Sequence, residues 1–447
     1  ELRAKRQRVQ DALTRIGGLD LQVEEILGAK NPEHYRNKSQ YPVGADGSIG
    51  FFQARTHKVV PIHRCLIQTE AADRTAQAVG EWMRRYKVPA YDEATGKGLV
   101  RHVYVRVNRK GESLCCVVIN GRQAPREPEL AAYVCAAVPH TAGVLVNSNT
   151  KRGNVILGEK YRTLWGRDYL MDTLCGLEFK LSVPSFYQVN RDQAEVLYRR
   201  AVDYAGLTGT ELVLDLYCGA GTITLTMADK AKKVIGAEII SAAVENAREN
   251  AADNGVENVE FFCGDAGDIA LKLAGENLHP DVICVDPPRK GLAPEVIDAM
   301  VRMGPQRIVY VSCDPATLGR DVKLLSHRGY QAVRAAAVDL FPGTAHVETV
   351  CLLVRRNGMH INVDVNVDEM LQEKRGQATY PQIKEYVLEQ TGMKVSSLYI
   401  SQVKRKCGLE VGDSYNKPKS KDAHVPQCPP DKEKAILDAL RHFGMIS

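Results

Sequence analysis

Five short apolar segments alternate with helix-like segments in the middle of this sequence, and this alternation limits the possible folds more than any other feature. The apolar segments lie at 212–216, 233–237, 259–263, 281–285 and 307–312. Helical patterns lie between them, for example over 242–254 and 294–303. Strands that alternate with helices form parallel sheets with helices on both faces. From about residue 181, the sequence therefore predicts an α/β fold with a doubly wound sheet.

The regions on either side of this alternation have different patterns. A basic amphipathic helix, stopped by Gly17-Gly18, is followed by a mostly strand-like region. In that region we predict a hairpin around 108–112 and short strands at 143–147 and 154–157. Two strands at 333–339 and 348–354 have so short a link that we expect them to be antiparallel neighbours.

After residue 356 the composition changes to three helical segments, at 380–390, 398–406 and 431–442. We therefore predict three domains, an α+β domain over 1–180, the doubly wound domain over 181–356 and a small basic helical module over 357–447. In the last, Lys404-Arg405-Lys406 lie on a helix, and Lys417, Lys419 and Lys421 follow it. Their positive charge fits either contact with nucleic acid or a solvated basic face.

The composition sets outer limits on function. The 447 residues include 59 Lys plus Arg and 54 Asp plus Glu, so the net charge of +5 permits nucleic-acid binding without requiring it. The 12 cysteines are scattered, with no regular disulfide framework, and we find no signal peptide and no membrane-spanning apolar segment. We therefore expect a cytoplasmic protein, monomeric and without a membrane partner. The chain begins at Glu1 inside a helical pattern, which suggests that an upstream region is missing.

Cys313 directly follows the apolar segment at 307–312. In α/β sheets the carboxyl ends of the strands bind ligands. Asp314 and Pro315 are suited to the N-cap and first position of a helix, whose positive end can lower the pKa of a thiol. The sequence therefore identifies Cys313 as a candidate nucleophile, whereas a buried, inert thiol is the expectation for the other cysteines.

A glycine turn follows the segment at 212–216. Asp215 comes just before it, and Gly219 and Gly221 let the backbone approach a ligand closely. A nicotinamide dinucleotide site has a similar layout, but Thr224 stands where its third glycine would be. The early acid and the missing glycine favour S-adenosylmethionine, and the plain alternative is a tight β–α turn without a ligand.

Acidic residues end the neighbouring strands. Glu238 can accept hydrogen bonds from ribose hydroxyls. Asp265 is placed to meet an adenine edge, or is an ordinary solvated acid. Asp286 opens the sequence Asp-Pro-Pro-Arg, which is either part of the site or a rigid loop capped by an acid. Glu348 heads an otherwise apolar strand, and we expect alternation to place His346 on the same face.

Taken together, these motifs resemble the RNA uracil-5-methyltransferases of the RumA/RlmD type, over about residues 2–356. The motifs that carry the resemblance are Tyr35-Arg36-Asn37-Lys38, Ser185 to Asn190, Asp215 to Gly221, Asp286 to Arg289, Ser312 to Pro315 and His346 to Glu348. The resemblance implies a Rossmann-like methyltransferase domain, S-adenosyl-L-methionine as cofactor and structured RNA as partner, with 23S ribosomal RNA first and transfer RNA as the alternative. It also implies that the domain over 1–180 recognises RNA.

The resemblance assigns roles to individual residues. Cys313 would add to uracil C6, Glu348 would remove the C5 proton, and Asp286 would help to hold the uracil. The resemblance implies cofactor contacts by Gln188, Tyr217, Thr222, Glu238 and Asp286. The glycine turn and the strand-end acids add Asp215, Gly219, Gly221 and Asp265 as expected contacts. Thr222 stands where some family members have Asn.

Many members of this family hold an iron–sulfur cluster with four cysteines, and Cys65 resembles the fourth ligand. One ligand cannot hold a cluster, so we expect no metal here and a cluster only in a full-length protein. Two rival functions are an NAD-dependent oxidoreductase and a non-catalytic RNA-binding protein. Cys313 and Glu348 together argue against the second.

Overall fold

The amino-terminal segment is helical, as predicted. The computed structural model describes residues 1–356, 380–391, 393–409 and 427–446. Helix α1 (Leu2–Asp11) continues into one π-helical turn (Ala12–Ile16), and the chain leaves it at Gly17. Strand β1 (Ile26–Leu27) follows and joins the large sheet formed later in the chain.

A five-stranded sheet, in the order β2-β5-β6-β7-β8, forms the next part of the chain. This region also contains two small hairpins, β3–β4 and β9–β10, and two helices. In chain order, the elements are β2 (Lys38–Pro42), β3 (Gly50–Phe52), β4 (Val59–Pro61), α2 (Glu70–Arg85), β5 (Val100–Val107), β6 (Ser113–Ile119), α3 (Glu127–Ala137), β7 (Thr141–Ser148), β8 (Lys160–Gly166), β9 (Tyr169–Leu174) and β10 (Leu177–Ser182). The hairpin predicted around 108–112 is confirmed, because β5 and β6 pair antiparallel.

The mostly strand-like pattern predicted for this region is confirmed, with two helices, α2 and α3, that the sequence did not indicate. Helix α3 carries the chain across so that β6 and β7 pair parallel. One expectation for this region was wrong. The strand expected at 154–157 does not form. The Asn149 side-chain amide donates hydrogen bonds to the carbonyls of Val155 and Ile156, at 2.6 and 2.9 Å, so those carbonyls are engaged by a side chain instead of a neighbouring strand.

The predicted doubly wound sheet is confirmed. Its eight strands have the order β1-β16-β17-β15-β14-β11-β12-β13. The strands and helices of this region are α4 (Arg191–Ala205), β11 (Leu212–Leu216), α5 (Thr222–Ala228), β12 (Lys233–Glu238), α6 (Ser241–Asp253), β13 (Val259–Cys263), α7 (Ala266–Gly275), β14 (Val282–Val285), α8 (Pro294–Met303), β15 (Arg307–Ser312), α9 (Pro315–His327), β16 (Tyr330–Val338) and β17 (Glu348–Arg355). Strands β11 to β15 pair in parallel.

The strand β17 reverses direction and lies between β15 and β16, antiparallel to both. Thr349 pairs with Ser312, and Glu348 pairs with Val338. Because β17 runs backwards, its first residue reaches the same edge of the sheet as the last residues of the parallel strands. The antiparallel pair predicted at 333–339 and 348–354 is thus confirmed.

The chain divides into two compact units, Glu1–Ile361 and Asn362–Ser447. The second unit contains the predicted helices, α10 (Tyr380–Thr391), α11 (Ser397–Lys406) and α12 (Pro430–His442), around a small apolar core. The domain boundary predicted at residue 180 stays a prediction. In the described parts of both units, no helix has the length and apolar character that crossing a membrane requires.

Two of the three basic residues on α11 have partners within the second unit. Lys404 is buried, and its ammonium lies 5.1 Å from the centre of the Tyr380 ring. Lys406 forms an ion pair with Glu433 at 2.7 Å. Arg405, the third, is exposed. The basic residues that follow in the sequence, Lys417, Lys419 and Lys421, lie outside the described residues.

Candidate functional site

Side chains from five neighbouring strands meet at the carboxyl edge of the large sheet. From β17 towards β12, the strand ends contribute Glu348, Cys313, Asp286, Tyr217 and Glu238 in that order. The pairing of Ser312 with Thr349 makes Cys313 and Glu348 neighbours across two hydrogen-bonded strands. The sheet therefore brings together a thiol, three carboxyl groups and the glycine turn.

Cys313 occupies the predicted position between β15 and α9. Asp314 is the N-cap, and its carboxylate accepts hydrogen bonds from the backbone of Ala316 and Thr317. The expected lowering of the Cys313 pKa was wrong, because burial and the carboxyl groups of Glu348 and Asp286 raise it to about 11. The N-cap carboxylate also occupies the helix end that would have favoured the thiolate.

Glu348 is only 5% exposed. Burial raises its pKa to about 8, Asp286 adds to that increase, and the Arg289 guanidinium opposes it. A carboxyl group that titrates near neutral pH can take a proton from a reaction intermediate and release it to solvent. The expectation that His346 shares its face was wrong, since His346 precedes the strand in a loop and is exposed.

Asp286 lies between the nucleophile candidate and the glycine turn, directly after β14. It is partly exposed, and burial raises its pKa to about 7. The site therefore contains a cluster of three acidic groups, Asp286, Glu348 and Cys313, in which a negative charge on one disfavours ionisation of its neighbour. Arg289, three residues after Asp286, is the cation that lowers the pKa of both Cys313 and Glu348. Sequence reasoning quoted Arg289 within a motif but gave it no role.

The glycine turn after β11 has an unusual backbone conformation. Tyr217, which is not a glycine, has a φ of 70°, and Gly219 and Gly221 have φ values of 55° and 81°. Residues outside the usual regions of φ and ψ cluster at ligand sites, where they orient backbone groups. The Gly219 N–H donates to the Glu238 carboxylate at 3.1 Å, and the Ile240 N–H donates to the same carboxylate at 2.9 Å.

A cavity opens beside this turn. Of the predicted residues, five line it, namely Gln188, Tyr217, Gly219, Thr222 and Asp286. Apart from Gly219 itself and its two chain neighbours, no residue has an atom within 4 Å of the position that a Cβ on Gly219 would occupy, so the turn leaves room for a ligand against its backbone. Open space at a glycine, backbone N–H groups and a carboxylate suited to a ribose fit S-adenosyl-L-methionine.

The cavity also contains aromatic residues to which sequence reasoning gave no role: Phe186, Tyr187 and Tyr198. Phe186 is 64% exposed, whereas Tyr198 is buried and accepts a hydrogen bond from Thr222 at 3.3 Å. Phe186 and Tyr187 lie in the quoted Ser185 to Asn190 motif, and their position beside Gln188 was the available signal. Tyr198 lies on α4, where an apolar helix face gave no signal.

Four predicted cofactor contacts lie outside the cavity lining: Gly221 of the glycine turn, Glu238, whose carboxylate accepts a hydrogen bond from that turn, and Asp215 and Asp265. Asp215 is fully buried under the turn, where one carboxylate oxygen accepts a 2.6 Å hydrogen bond from Thr224. Burial raises its pKa to about 7, and its contacts indicate that it supports the turn. Asp265 is the N-cap of α7, is exposed, and adds its charge to the burial that raises the Tyr217 pKa to about 12. Its charge therefore reaches the turn from the end of β13, which β12 separates from β11.

The segment at 185–190 is held by the five-stranded sheet and its edge. The Asn37 side-chain amide donates to the Gln188 carbonyl at 2.8 Å, and the buried Arg106 guanidinium donates to the carbonyls of Val183 and Ser185.

Cys65, the proposed fourth cluster ligand, is partly exposed, and its N–H donates to Asp73. Within the described ranges, no group of three or more His, Cys, Asp and Glu side chains could hold a metal ion.

Comparisons with known proteins agree with this geometry. A model of the tRNA (uracil-5-)-methyltransferase family matches residues 155–356. The chain is 42% identical to an uncharacterized RNA methyltransferase of Clostridium tetani over 79% of this chain and 78% of that protein. It is 44% identical to one from Caldanaerobacter subterraneus, over 79% of each. Its fold is similar to that of the Pyrococcus abyssi tRNA (uracil-54, C5)-methyltransferase in complex with S-adenosyl-L-homocysteine, with a TM-score of 0.67 and 26% identity, covering 79% of this chain and 84% of that one.

Proposed function

Because this chain belongs to the family of S-adenosyl-L-methionine-dependent RNA uracil-5-methyltransferases, we propose that it methylates uridine C5 through a covalent adduct between Cys313 and uracil C6. One observation carries this proposal. A thiol and a largely buried carboxyl group lie at the ends of two hydrogen-bonded strands, beside the cavity of the glycine turn. Hydride transfer by an NAD-dependent oxidoreductase does not in itself call for a thiol nucleophile paired with a carboxyl base.

The chemistry requires both groups. Uracil C5 is a weak nucleophile, and addition of the Cys313 thiolate to C6 turns the ring into an enolate whose C5 can attack a methyl group. S-adenosyl-L-methionine supplies that methyl group when bound. Glu348 then takes the C5 proton, the C5–C6 double bond forms again, and the bond from C6 to sulfur breaks to release the thiolate. With its raised pKa, Cys313 is a protonated thiol at rest, so it must first release its proton to solvent, and the nearby positive charge of Arg289 favours the thiolate that then attacks C6.

The target base must leave its stack to reach Cys313, as in other enzymes that modify bases. Phe186, exposed at the same cavity, offers an apolar ring on which an extruded base can stack. Asp286 lies between the cavity and Cys313, and we propose that it holds the uracil edge in its protonated state. The raised pKa of Asp286 is consistent with a carboxyl group that donates a hydrogen bond near neutral pH.

Glu238 is proposed to hold the ribose of the cofactor, beside Gly219. Replacing Glu238 with Gln removes the negative charge that strengthens the proposed hydrogen bonds from the ribose hydroxyls to this side chain. We expect the Kd of S-adenosyl-L-homocysteine to rise about ten- to a hundredfold, measured by titration calorimetry. Glu260→Gln, an exposed glutamate on β13, is the matched control and should bind normally. Equal affinity of Glu238→Gln and the wild type would contradict this assignment.

The pH dependence of proton removal tests the base. Glu348 must be ionised to act, and its pKa is raised to about 8. We therefore expect the single-turnover rate of C5 proton loss to rise with pH between about 7 and 9. Since Arg289 lowers the Glu348 pKa, Arg289→Gln should move this rise to higher pH. Lys290→Gln, at the next exposed position, should leave it in place, and an unmoved or lowered midpoint in Arg289→Gln would speak against Glu348.

We propose 23S ribosomal RNA as the substrate, supported by the resemblance of the ordered motifs to the RumA/RlmD type. Transfer RNA is the second candidate, supported by the similarity to the Pyrococcus abyssi enzyme. Mapping of 5-methyluridine in RNA from cells with and without the gene would separate the two. Loss of the methyl group from 23S rRNA supports the first, and loss from tRNA alone replaces it with the second.

A further inference from the structure

The loop that leads into Glu348 is held by the amino-terminal helix. This loop, residues 339–347, connects β16 to β17 and ends at the residue before Glu348. Lys5 of α1 and Asp339 of the loop are both 3% exposed, and their charged groups lie 2.5 Å apart. The Lys5 ammonium also donates to the Phe341 carbonyl at 3.0 Å. A lysine is rarely buried this deeply, and here both of these contacts go to one loop.

Further contacts join the same two segments. The Arg8 guanidinium donates to the Ala345 carbonyl at 2.6 Å, and the Glu1 carboxylate accepts from the Gly343 N–H at 2.8 Å. Two residues of α1 and its N-cap therefore contact the loop at four of its residues, 339, 341, 343 and 345. The sequence separation is more than 330 residues, so these contacts depend on the folded state and not on local chain geometry.

Other elements hold only the first part of the loop. Gln193 and Asn190 donate to the carbonyls of Asp339 and Leu340, each at 3.0 Å, and the Tyr35 hydroxyl donates to the Pro342 carbonyl at 3.0 Å. Beyond Pro342, the contacts described above come from α1. The part of the loop nearest to Glu348 thus depends on α1 for its position.

We propose that Lys5 is a positioning residue for the catalytic base. Its buried ion pair with Asp339 anchors α1 to the loop, and Arg8 and Glu1 at that helix then hold the part of the loop nearest to Glu348, so that the Glu348 carboxyl lies where it takes the uracil C5 proton. This inference rests on the proposed function. The backbone of Glu348 is already fixed by its pairing with Val338. In this proposal the ion pair acts on the loop that directly precedes Glu348, and through that loop on the exclusion of water from the 5% exposed side chain.

The proposal separates two steps of one reaction. Addition of Cys313 and methyl transfer use β15 and the glycine turn, which α1 does not hold through this loop. Proton removal and release of the thiolate use Glu348. Loss of the ion pair should therefore slow the second step and leave the first nearly unchanged, because misplacement of a reacting group by about 1 Å can cost about a hundredfold in rate.

Two variants make the test independent of folding. Lys5→Met leaves Asp339 buried without its partner and destabilises the protein. The double variant Lys5→Met/Asp339→Asn removes both charges and avoids that penalty. Arg328→Met breaks the 2.7 Å ion pair between Arg328, at the carboxyl end of α9, and Asp298 of α8. This variant serves as the control for general loss of stability.

The full chain is mixed with RNA that carries [5-³H]uridine and with [¹⁴C-methyl]S-adenosyl-L-methionine. Methyl transfer to RNA and tritium release are then followed in single turnovers. In both Lys5 variants we expect tritium release to slow at least about tenfold while methyl transfer changes little, with a protein–RNA adduct that survives denaturation. Arg328→Met should keep the wild-type ratio of the two rates.

Entry of water to the Glu348 carboxyl, once the ion pair is lost, gives a second readout. Solvent entry should lower the Glu348 pKa towards that of an ordinary carboxyl, with Asp286 and Arg289 as the remaining charges that face it. The pH midpoint of tritium release should therefore move down in the double variant. A folded double variant with the wild-type ratio of tritium release to methyl transfer overturns the role of Lys5. Failure of the wild type to form an adduct on 5-fluorouridine RNA overturns the proposed function, and with it this inference.

Discussion

Replacing Cys313 with alanine is expected to abolish the covalent complex and to reduce methyl transfer by at least about a thousandfold, because no other group can activate uracil C5. The measurement uses RNA that carries 5-fluorouridine, together with S-adenosyl-L-methionine. Fluorine cannot be lost as a proton, so the wild-type enzyme should stop at an adduct that survives denaturation. The alanine variant should form none.

A matched control for this prediction is Cys135→Ala. Cys135 is also a partly exposed free thiol, but it lies on α3 beside the five-stranded sheet. That variant should form the adduct at the wild-type rate and should bind the cofactor normally. An adduct in Cys313→Ala would show that another group is the nucleophile.

Replacing Glu348 with glutamine should produce the opposite result, which is an accumulation of adduct on natural RNA. Glutamine keeps the shape of the side chain but cannot take the C5 proton. Product release should slow by about a hundred- to ten thousandfold, while addition and methyl transfer continue for one turnover. Denaturing gels should then show a protein–RNA band in the absence of fluorouridine.

Glu211→Gln is the control for removal of a buried glutamate. Glu211 is 7% exposed and precedes β11, at the opposite end of the strand from the glycine turn. Its replacement should leave no trapped adduct, whatever its effect on stability. Normal turnover by Glu348→Gln would require a different base, and Asp286 would be the next carboxyl group to test.

The large sheet was predictable because its signals are local. Each parallel strand is a short apolar segment followed by a turn or helix signal, and the predicted limits of β11, β13 and β15 agree with the structure. The chemical residues at this sheet edge could be found for the same reason, since a polar residue directly after a buried strand must lie at the strand end. Cys313, Asp286 and Glu238 are such residues.

The remaining features depend on contacts between distant parts of the chain. The Asn149 amide removes two carbonyls from strand pairing, which no periodicity could indicate. Burial raises the pKa of Cys313 most, and Glu348 and Asp286, which reach it only through the order of strands, raise it further. A helix N-terminus alone predicted the opposite direction, because it is a local feature and the two carboxyl groups are not.

The reversed strand β17 has a consequence for how this enzyme adapts to its substrate. Hydrogen bonds between β15 and β17 join Ser312 to Thr349, so the sheet itself fixes the backbone spacing between Cys313, the proposed nucleophile, and Glu348, the proposed base. A movement of one relative to the other would break the register along the whole strand pair. Adjustment on binding must therefore come from the surrounding loops and from the RNA, which has to distort itself to fit a rigid pair of reactive groups.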